Sequence, residues 1–208
     1  MLEIGVLALQ GDVAEHLEAA RQAGAKTRIS MRLRTVRTAD ELAGLHGLLL
    51  PGGESTTLSL LLQKNAMIEP MRKISGLLGT CAGLILMAKE VEGKSAEQEC
   101  LGVLDVRVDR NAYGSQVDSF ESALEKAGEG APDLTGKLRI PFIRAPKIVR
   151  VGEGVHVLAR HPNTGEPVIV QQKQAGKFYL GAACHPEMRT SRMHEYFLTH
   201  LQAALETK

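Results

Sequence analysis

A few short stretches of this chain hold the residue types of nucleophilic chemistry. Cys81 lies in Gly79-Thr80-Cys81-Ala82-Gly83, with a glycine two positions before it, another two positions after, and an apolar run beyond. That spacing fits a nucleophile elbow, where a strand turns sharply into a helix and glycines stand at places where side chains would collide. The helix N-terminus would favour a thiolate, and the Ala82 amide would face a developing oxyanion. The same spacing also fits a tightly packed helix start whose cysteine is a small buried hydrophobe. His185-Pro186-Glu187 closes a strand-like apolar run. In an extended chain residues two apart share a side, and Pro186 biases His185 toward that conformation. A carboxylate on one ring nitrogen and a thiol at the other would complete a Cys81-His185-Glu187 triad. A lone His-x-Glu, however, is more often a solvated loop. Gly52-Gly53-Glu54 follows another apolar run, and paired glycines there let backbone amides approach a carboxylate or an oxyanion. Ser55 or Thr56 at that point also suits a plain helix cap. Arg110 and Arg144 carry guanidinium groups that suit a substrate carboxylate. Nothing in their spacing separates them from surface arginines.

These residues need a scaffold. Leu2 to Leu9 is nearly continuous in apolar and small residues, as in a strand buried on both faces of a parallel sheet. Asp12 is a candidate cap for a helix that Gly24 would end, with residues 25–31 as the second strand. Thr38 and Glu41 have capping-box spacing, His46 to Pro51 is a short buried strand, and residues 57–63 form an apolar helix. This alternation predicts an α/β fold, a three-layer sandwich with a mostly parallel central sheet flanked by helices. From Leu101 onward the segments are strand-rich and predict antiparallel strands toward the C-terminal half, closed by an amphipathic helix over 192–205. Residues 121–136, rich in Gly, Pro and charge, read as a surface excursion. With no repeats or linker, residues 1–208 are expected to form one domain.

Composition narrows the classes. The 208 residues are 44% hydrophobic and 24% charged with a net charge of +1, so no nucleic acid or anionic membrane surface is indicated. No apolar run reaches the roughly 18 residues of a membrane span, and the N-terminus lacks the basic and small-residue marks of a signal peptide. Three cysteines without a CxxC pair argue against disulfides or zinc and for a reducing, cytoplasmic setting. The 7 histidines show no metal-ligand spacing, so no metal is expected.

Taken together, an elbow cysteine and a His-x-Glu about a hundred residues further on resemble the class I, triad-type glutamine amidotransferases. LALQGDVAEH, LLLPGGESTT, GTCAGLILMAKE, RNAYGSQVDSFE, FIRAP and HPE, in that order over nearly the whole chain, resemble the PdxT/SNO family, the glutaminase subunits of pyridoxal 5′-phosphate synthase. The resemblance implies that Cys81 forms a γ-glutamyl thioester with L-glutamine, that His185 moves the protons and that Glu187 orients it. It also implies that Gly52, Gly53, Glu54, Arg110, Ile143 and Arg144 bind glutamine, with the Gly53 and Ala82 amides at the oxyanion. Ammonia would pass to a synthase subunit of the PdxS/SNZ family in a hetero-oligomeric complex. Pyridoxal 5′-phosphate is then the product, and the glutaminase itself needs no cofactor. Gln10, Gly11 and His16 are candidates for the docking surface. The chain departs from the family pattern in a short lead of about eight residues between Pro70 and Gly79, in Cys184 in place of an aromatic residue, and in longer stretches near residues 30–38 and 125–137. Cys184 is expected to be a buried spectator. Two other readings remain: an amidotransferase of another pathway, such as histidine or anthranilate synthesis, and a non-catalytic regulatory module.

Overall fold

The structure, a computed structural model, describes residues 1–110, 112, 119–127, 131 and 138–206. In chain order its elements begin with β1 (Leu2–Leu7), α1 (Val13–Thr27), β2 (Met31–Val36), β3 (Gly47–Leu50), α2 (Ser55–Lys64), α3 (Ile68–Arg72), β4 (Gly76–Thr80) and α4 (Ala82–Met87). There follow β5 (Ala88–Glu92), β6 (Leu104–Asp109), β7 (Phe120–Ser122), β8 (Glu125–Lys126), β9 (Ile140–Phe142), β10 (Lys147–Val151), β11 (Val155–Arg160), β12 (Pro167–Gln174), β13 (Lys177–Ala182) and α5 (Arg192–Glu206). The main sheet runs β2-β1-β3-β4-β13-β12-β11-β8. It is parallel from β2 through β13 and antiparallel from β13 to β8. β3 and β4 are buried along their whole length, as the continuous apolar runs require. A smaller sheet, β10-β6-β5, packs near the antiparallel half, and β6 alternates buried and half-buried residues in the two-residue period of a strand.

Glycines set the layer spacing. A Cβ on Gly47 or Gly76 would lie 2.8 or 2.7 Å from Leu201 of α5, whereas one on Gly181 would lie 2.6 Å from Leu84 of α4. The two helices therefore press onto opposite faces of the sheet. α1 packs beside α5, and α2 beside α4. Phe178, Phe197 and Leu201 seal the α5 face with no solvent exposure, each contributing about 1.5–3 kcal/mol by burial.

Several local expectations are corrected. α1 runs past Gly24 and ends at Arg28 in the left-handed conformation with φ 58°. Gly24 is glycine for packing, because a Cβ there would lie 2.7 Å from Met31 Cε. β2 accordingly starts at Met31, the last of residues 25–31, and runs on to Val36. Asp12 precedes α1 without capping it through its side chain. α2 is capped by Glu54, whose carboxylate accepts from the Thr56 and Thr57 amides, and neither Ser55 nor Thr56 is the cap. Glu41 does reach back to the Thr38 amide at 3.1 Å, one half of the expected box. The short lead to the elbow is met by α3 stopping at Arg72, with Pro70 in its first turn, where proline is tolerated. Residues 125–127 are exposed as expected, but 121–127 are not an irregular excursion. They form parts of β7 and β8 around Leu124, which is 3% exposed. Residues 128–130 and 132–136 of that stretch lie outside the described residues, as do 111 and 113–118 of the RNAYGSQVDSFE motif.

Candidate active site

Four parallel strands end side by side, and the loops leaving them carry the candidate residues. Such a row of carboxyl ends is where open α/β sheets bind ligands. Cys81 follows β4 directly with φ 49° and ψ −106°, a strained conformation for a residue with a side chain. The turn closes because Gly79 and Gly83 lack Cβ atoms. One on Gly79 would lie 2.5 Å from the Gly83 carbonyl carbon, and one on Gly83 would strike the Leu50 carbonyl oxygen. The Cys81 amide donates to the Ala182 carbonyl at 2.8 Å, tying the elbow to the end of β13. α4 has only six residues, so its dipole is small. Cys81 Sγ lies 3.8 Å from the Ile143 carbonyl oxygen, just after β9.

His185 and Glu187 meet through a turn rather than an extended strand. His185 has φ −114° and ψ 71°, and Pro186–Met188 is a single 3-10 turn. His185 Nδ1 lies 3.0 Å from Glu187 Oε1, which also accepts from the Thr80 hydroxyl at 3.1 Å. Asp12 Oδ2 approaches the same Nδ1 at 3.1 Å. The side chain of Glu187 is fully buried while that of Asp12 is 25% exposed. Burial works against a charged ring at His185, but the pull of Asp12, Cys81 and Glu187 outweighs it and leaves its pKa pushed up to about 12. Nε2 of the ring is buried with no hydrogen-bond partner among the described residues, the edge left for the sulfur. The ligand atoms of Asp12, His185 and Glu187 lie within 4.8 Å of one another, close enough for a metal ion. Two carboxylates sharing one ring nitrogen account for that cluster.

A second set of residues forms the rim. A Cβ on Gly52 would fall on the His185 ring and 2.7 Å from Asp12 Oδ2, so glycine is what lets this loop lie against the base. Gly52 accepts from the Asp12 amide at 3.3 Å, which turns the Gly53 N–H away from that loop. The Glu54 amide donates to Gln10 Oε1 at 3.0 Å. Although burial works to raise it, the Thr57 and Thr56 bonds hold the Glu54 carboxyl down at about 2. Arg110 donates to Glu54 at 3.0 Å and to Thr56 and Gln98, both at 2.7 Å. Glu54 and Arg110 thus meet each other, while Arg144 is exposed with φ 45° and joins the site through its neighbour Ile143. His16 cannot belong to a docking surface, because it has no solvent exposure. Cys184 is buried as expected; burial, with the charges of Glu187 and Cys81, keeps its thiol well above the ordinary range.

Three contributors had not been identified from sequence: Asp12, read as a cap, and Thr80 and Gln98. For Asp12 the only signal is its place in the loop that leaves β1. Thr80 stands beside the nucleophile, but its orientation toward a residue 107 positions away leaves no local mark.

A cysteine at an elbow and an imidazole backed by carboxylates, at the carboxyl ends of a parallel sheet, define the class of cysteine-nucleophile acyl-transfer sites on α/β scaffolds. Residues 6–203 match the model of the SNO glutamine amidotransferase family, and the chain belongs to that family. It is 45% identical over 204 residues to the pyridoxal 5′-phosphate synthase subunit PdxT of Thermococcus onnurineus, covering 95% of this chain and 98% of the relative. With the PdxT subunit of Oenococcus oeni the identity is 47% over 201 residues, 95% of each chain. A crystal structure of a glutamine amidotransferase superposes with TM-score 0.79 at 44% identity, over 96% of this chain and 98% of the other.

Proposed function

We propose that this chain is a glutaminase that hydrolyses L-glutamine to L-glutamate and ammonia and delivers the ammonia to a PdxS/SNZ-type subunit of pyridoxal 5′-phosphate synthase. The observation that carries the reading is the pairing of Cys81 at φ 49° with an imidazole whose Nδ1 is 3.0 Å from Glu187. The Cys81 thiolate attacks the side-chain amide carbon, and the Ala82 and Gly53 amides face the oxyanion. His185 Nε2–H gives its proton to the departing nitrogen, which leaves as ammonia, and the γ-glutamyl thioester remains. Neutral His185 then takes a proton from water as that water attacks the thioester, releasing glutamate. Thioester formation removes the thiolate charge that helps to raise the His185 pKa, so the ring becomes less basic in the step that needs it neutral.

Gly52, Gly53, Glu54, Arg110, Ile143 and Arg144 are the proposed glutamine site. Glu54 suits the substrate ammonium and Arg144 the carboxylate, while Arg110 holds Glu54 in place. The chemistry draws on side chains and water, so pyridoxal 5′-phosphate is a product of the assembly and not a cofactor of this chain. The setting is taken to be cytoplasmic; among the described residues no helix is long and apolar enough to cross a membrane.

The test is glutamate release by the full chain with its synthase partner, wild type beside Cys81→Ala. The variant should lose at least about 10⁴-fold in rate while still supporting product formation from added ammonia. Undiminished glutamate release in the variant would sink the mechanism. A purified partner from another biosynthetic pathway would redirect it.

A further inference from the structure

Two histidines beneath the triad have no part in the chemistry above. His16 of α1 is 0% exposed and His194 of α5 is 1% exposed. Buried polar groups are costly unless their hydrogen bonds are met, and here the accounting of hydrogens fixes a direction. Glu187, as a carboxylate, only accepts, so the Thr80 hydroxyl at 3.1 Å donates to its Oε1. A hydroxyl has one hydrogen. Toward His16 Nε2, at 3.0 Å, the Thr80 oxygen must therefore accept, and His16 carries its proton on Nε2. The bare Nδ1 of His16 then accepts from His194 Nε2–H at 3.0 Å. His194 Nδ1 ends the row, buried and without a hydrogen-bond partner among the described residues. Burial pushes both imidazoles below the ordinary value, that of His194 to about 3, so both are neutral at pH 7, as the donor and acceptor roles of the His16 ring require.

We propose that His16 is a positioning residue: backed by His194, it fixes the Thr80 hydroxyl as a one-way donor to Glu187 and so keeps Glu187 Oε1 aligned on His185. The row His194, His16, Thr80, Glu187 points every hydrogen toward the carboxylate. Without His16 the Thr80 hydroxyl is free to rotate, and Glu187, whose Oε2 has no hydrogen-bond partner among the described residues, loses its fixed donor. The kinetic consequence rests on the glutaminase reading; the proton pattern does not.

The pattern is tested by nitrogen-15 NMR of the histidine rings in the full chain at pH 7. Both His16 and His194 should show protonated Nε2 and bare Nδ1. An Nδ1–H tautomer or an imidazolium at either would overturn the proposal. The kinetic arm measures glutamate release with the synthase partner. His16→Leu should lower kcat roughly 10- to 100-fold with KM for glutamine changed by less than about threefold. His16→Gln, which keeps an amide donor toward Thr80 and an acceptor toward His194, should recover most of the loss. Should His16→Leu fail to fold, the near-isosteric Thr80→Val carries the test, expected to lose as much while Thr80→Ser does not. A Thr80→Val kcat within about twofold of wild type would refute the positioning role. Wild type that releases no glutamate indicts the glutaminase reading instead, and the ring tautomers still decide the proton row.

Discussion

The two sides of His185 are built differently. Behind it lie Glu187, Thr80, His16 and His194, dry and joined by side-chain hydrogen bonds between elements far apart in sequence. In front lie Gln10 to Asp12 and Gly52 to Glu54, partly open to solvent and laced together mainly through backbone amides. A buried network holds one geometry, because each unmet group there costs about 1–3 kcal/mol. A half-exposed rim can exchange its partners for water at little cost. The back is suited to aim the base, and the front to receive a substrate.

Exchange of the two carboxylates on His185 is the severest test of that contrast. Glu187→Gln should lower kcat by about 10³- to 10⁴-fold, as loss of the orienting carboxylate does in other triads. Asp12→Asn, on the solvent side, should lose no more than about tenfold. Equal losses in steady-state assays would erase the distinction. Gly52→Ala tests the front loop directly, since the added methyl would displace the His185 ring. A loss of about 10²-fold is expected with the fold intact by circular dichroism, because small misplacements of a reacting group carry that cost.

Acid sharpens the same comparison. His16 and His194 have folded pKa values below the ordinary 6.5, so the unfolded chain binds more protons as the pH falls below 6.5. Stability should therefore fall below pH 6.5, by up to about 1.4 kcal/mol per unit for each ring, down to about pH 3 for His194. His185 has the opposite sign: raised to about 12, its contribution is complete below 6.5 and is lost as the pH climbs toward 12. Urea midpoints between pH 7 and 5 should show the decline, and a His16→Leu/His194→Leu double variant should flatten it. The smallest effect on stability is expected at the rim. Glu54→Gln keeps a weaker cap on α2 and should cost about 1 kcal/mol or less, read as a fall of a few degrees in Tm. Because the Glu54 carboxyl is held at about 2, its contribution is present above 4.5 and disappears only as the pH drops through 2.

What the sequence disclosed follows the range of the forces involved. The elbow was legible because its constraint is local: Gly79 and Gly83 are forced by backbone contacts within one turn and the adjoining strand end. His185 and Glu187 were legible by spacing, although a 3-10 turn and not an extended chain brings them together. β1 and β3 announced themselves as nearly unbroken apolar runs, whereas β2, the edge strand with Arg32 and Arg34 along it, did not. Gly24 misled because a glycine required for packing and one required to end a helix read alike. Asp12 misled because a carboxylate before a helix serves equally as a cap or as a partner for a distant base. The row from His194 to Thr80 could not be read, since its members come from α5, α1 and β4 and only the finished fold brings them into line.

The placement of β13 also governs when this protein becomes whole. It slots between β4 and β12, beside a strand that ends about a hundred residues earlier in the chain. Pairings across such distances form late and slowly. Until residues 177–182 have left the ribosome, β4 has an open edge, and the cysteine at its tip has no imidazole to meet. A nascent or truncated chain would therefore hold a thiol without its base. Reactivity would arrive only with completion of the central sheet, and the open edge of β4 is where an interrupted chain would be most exposed to mispairing.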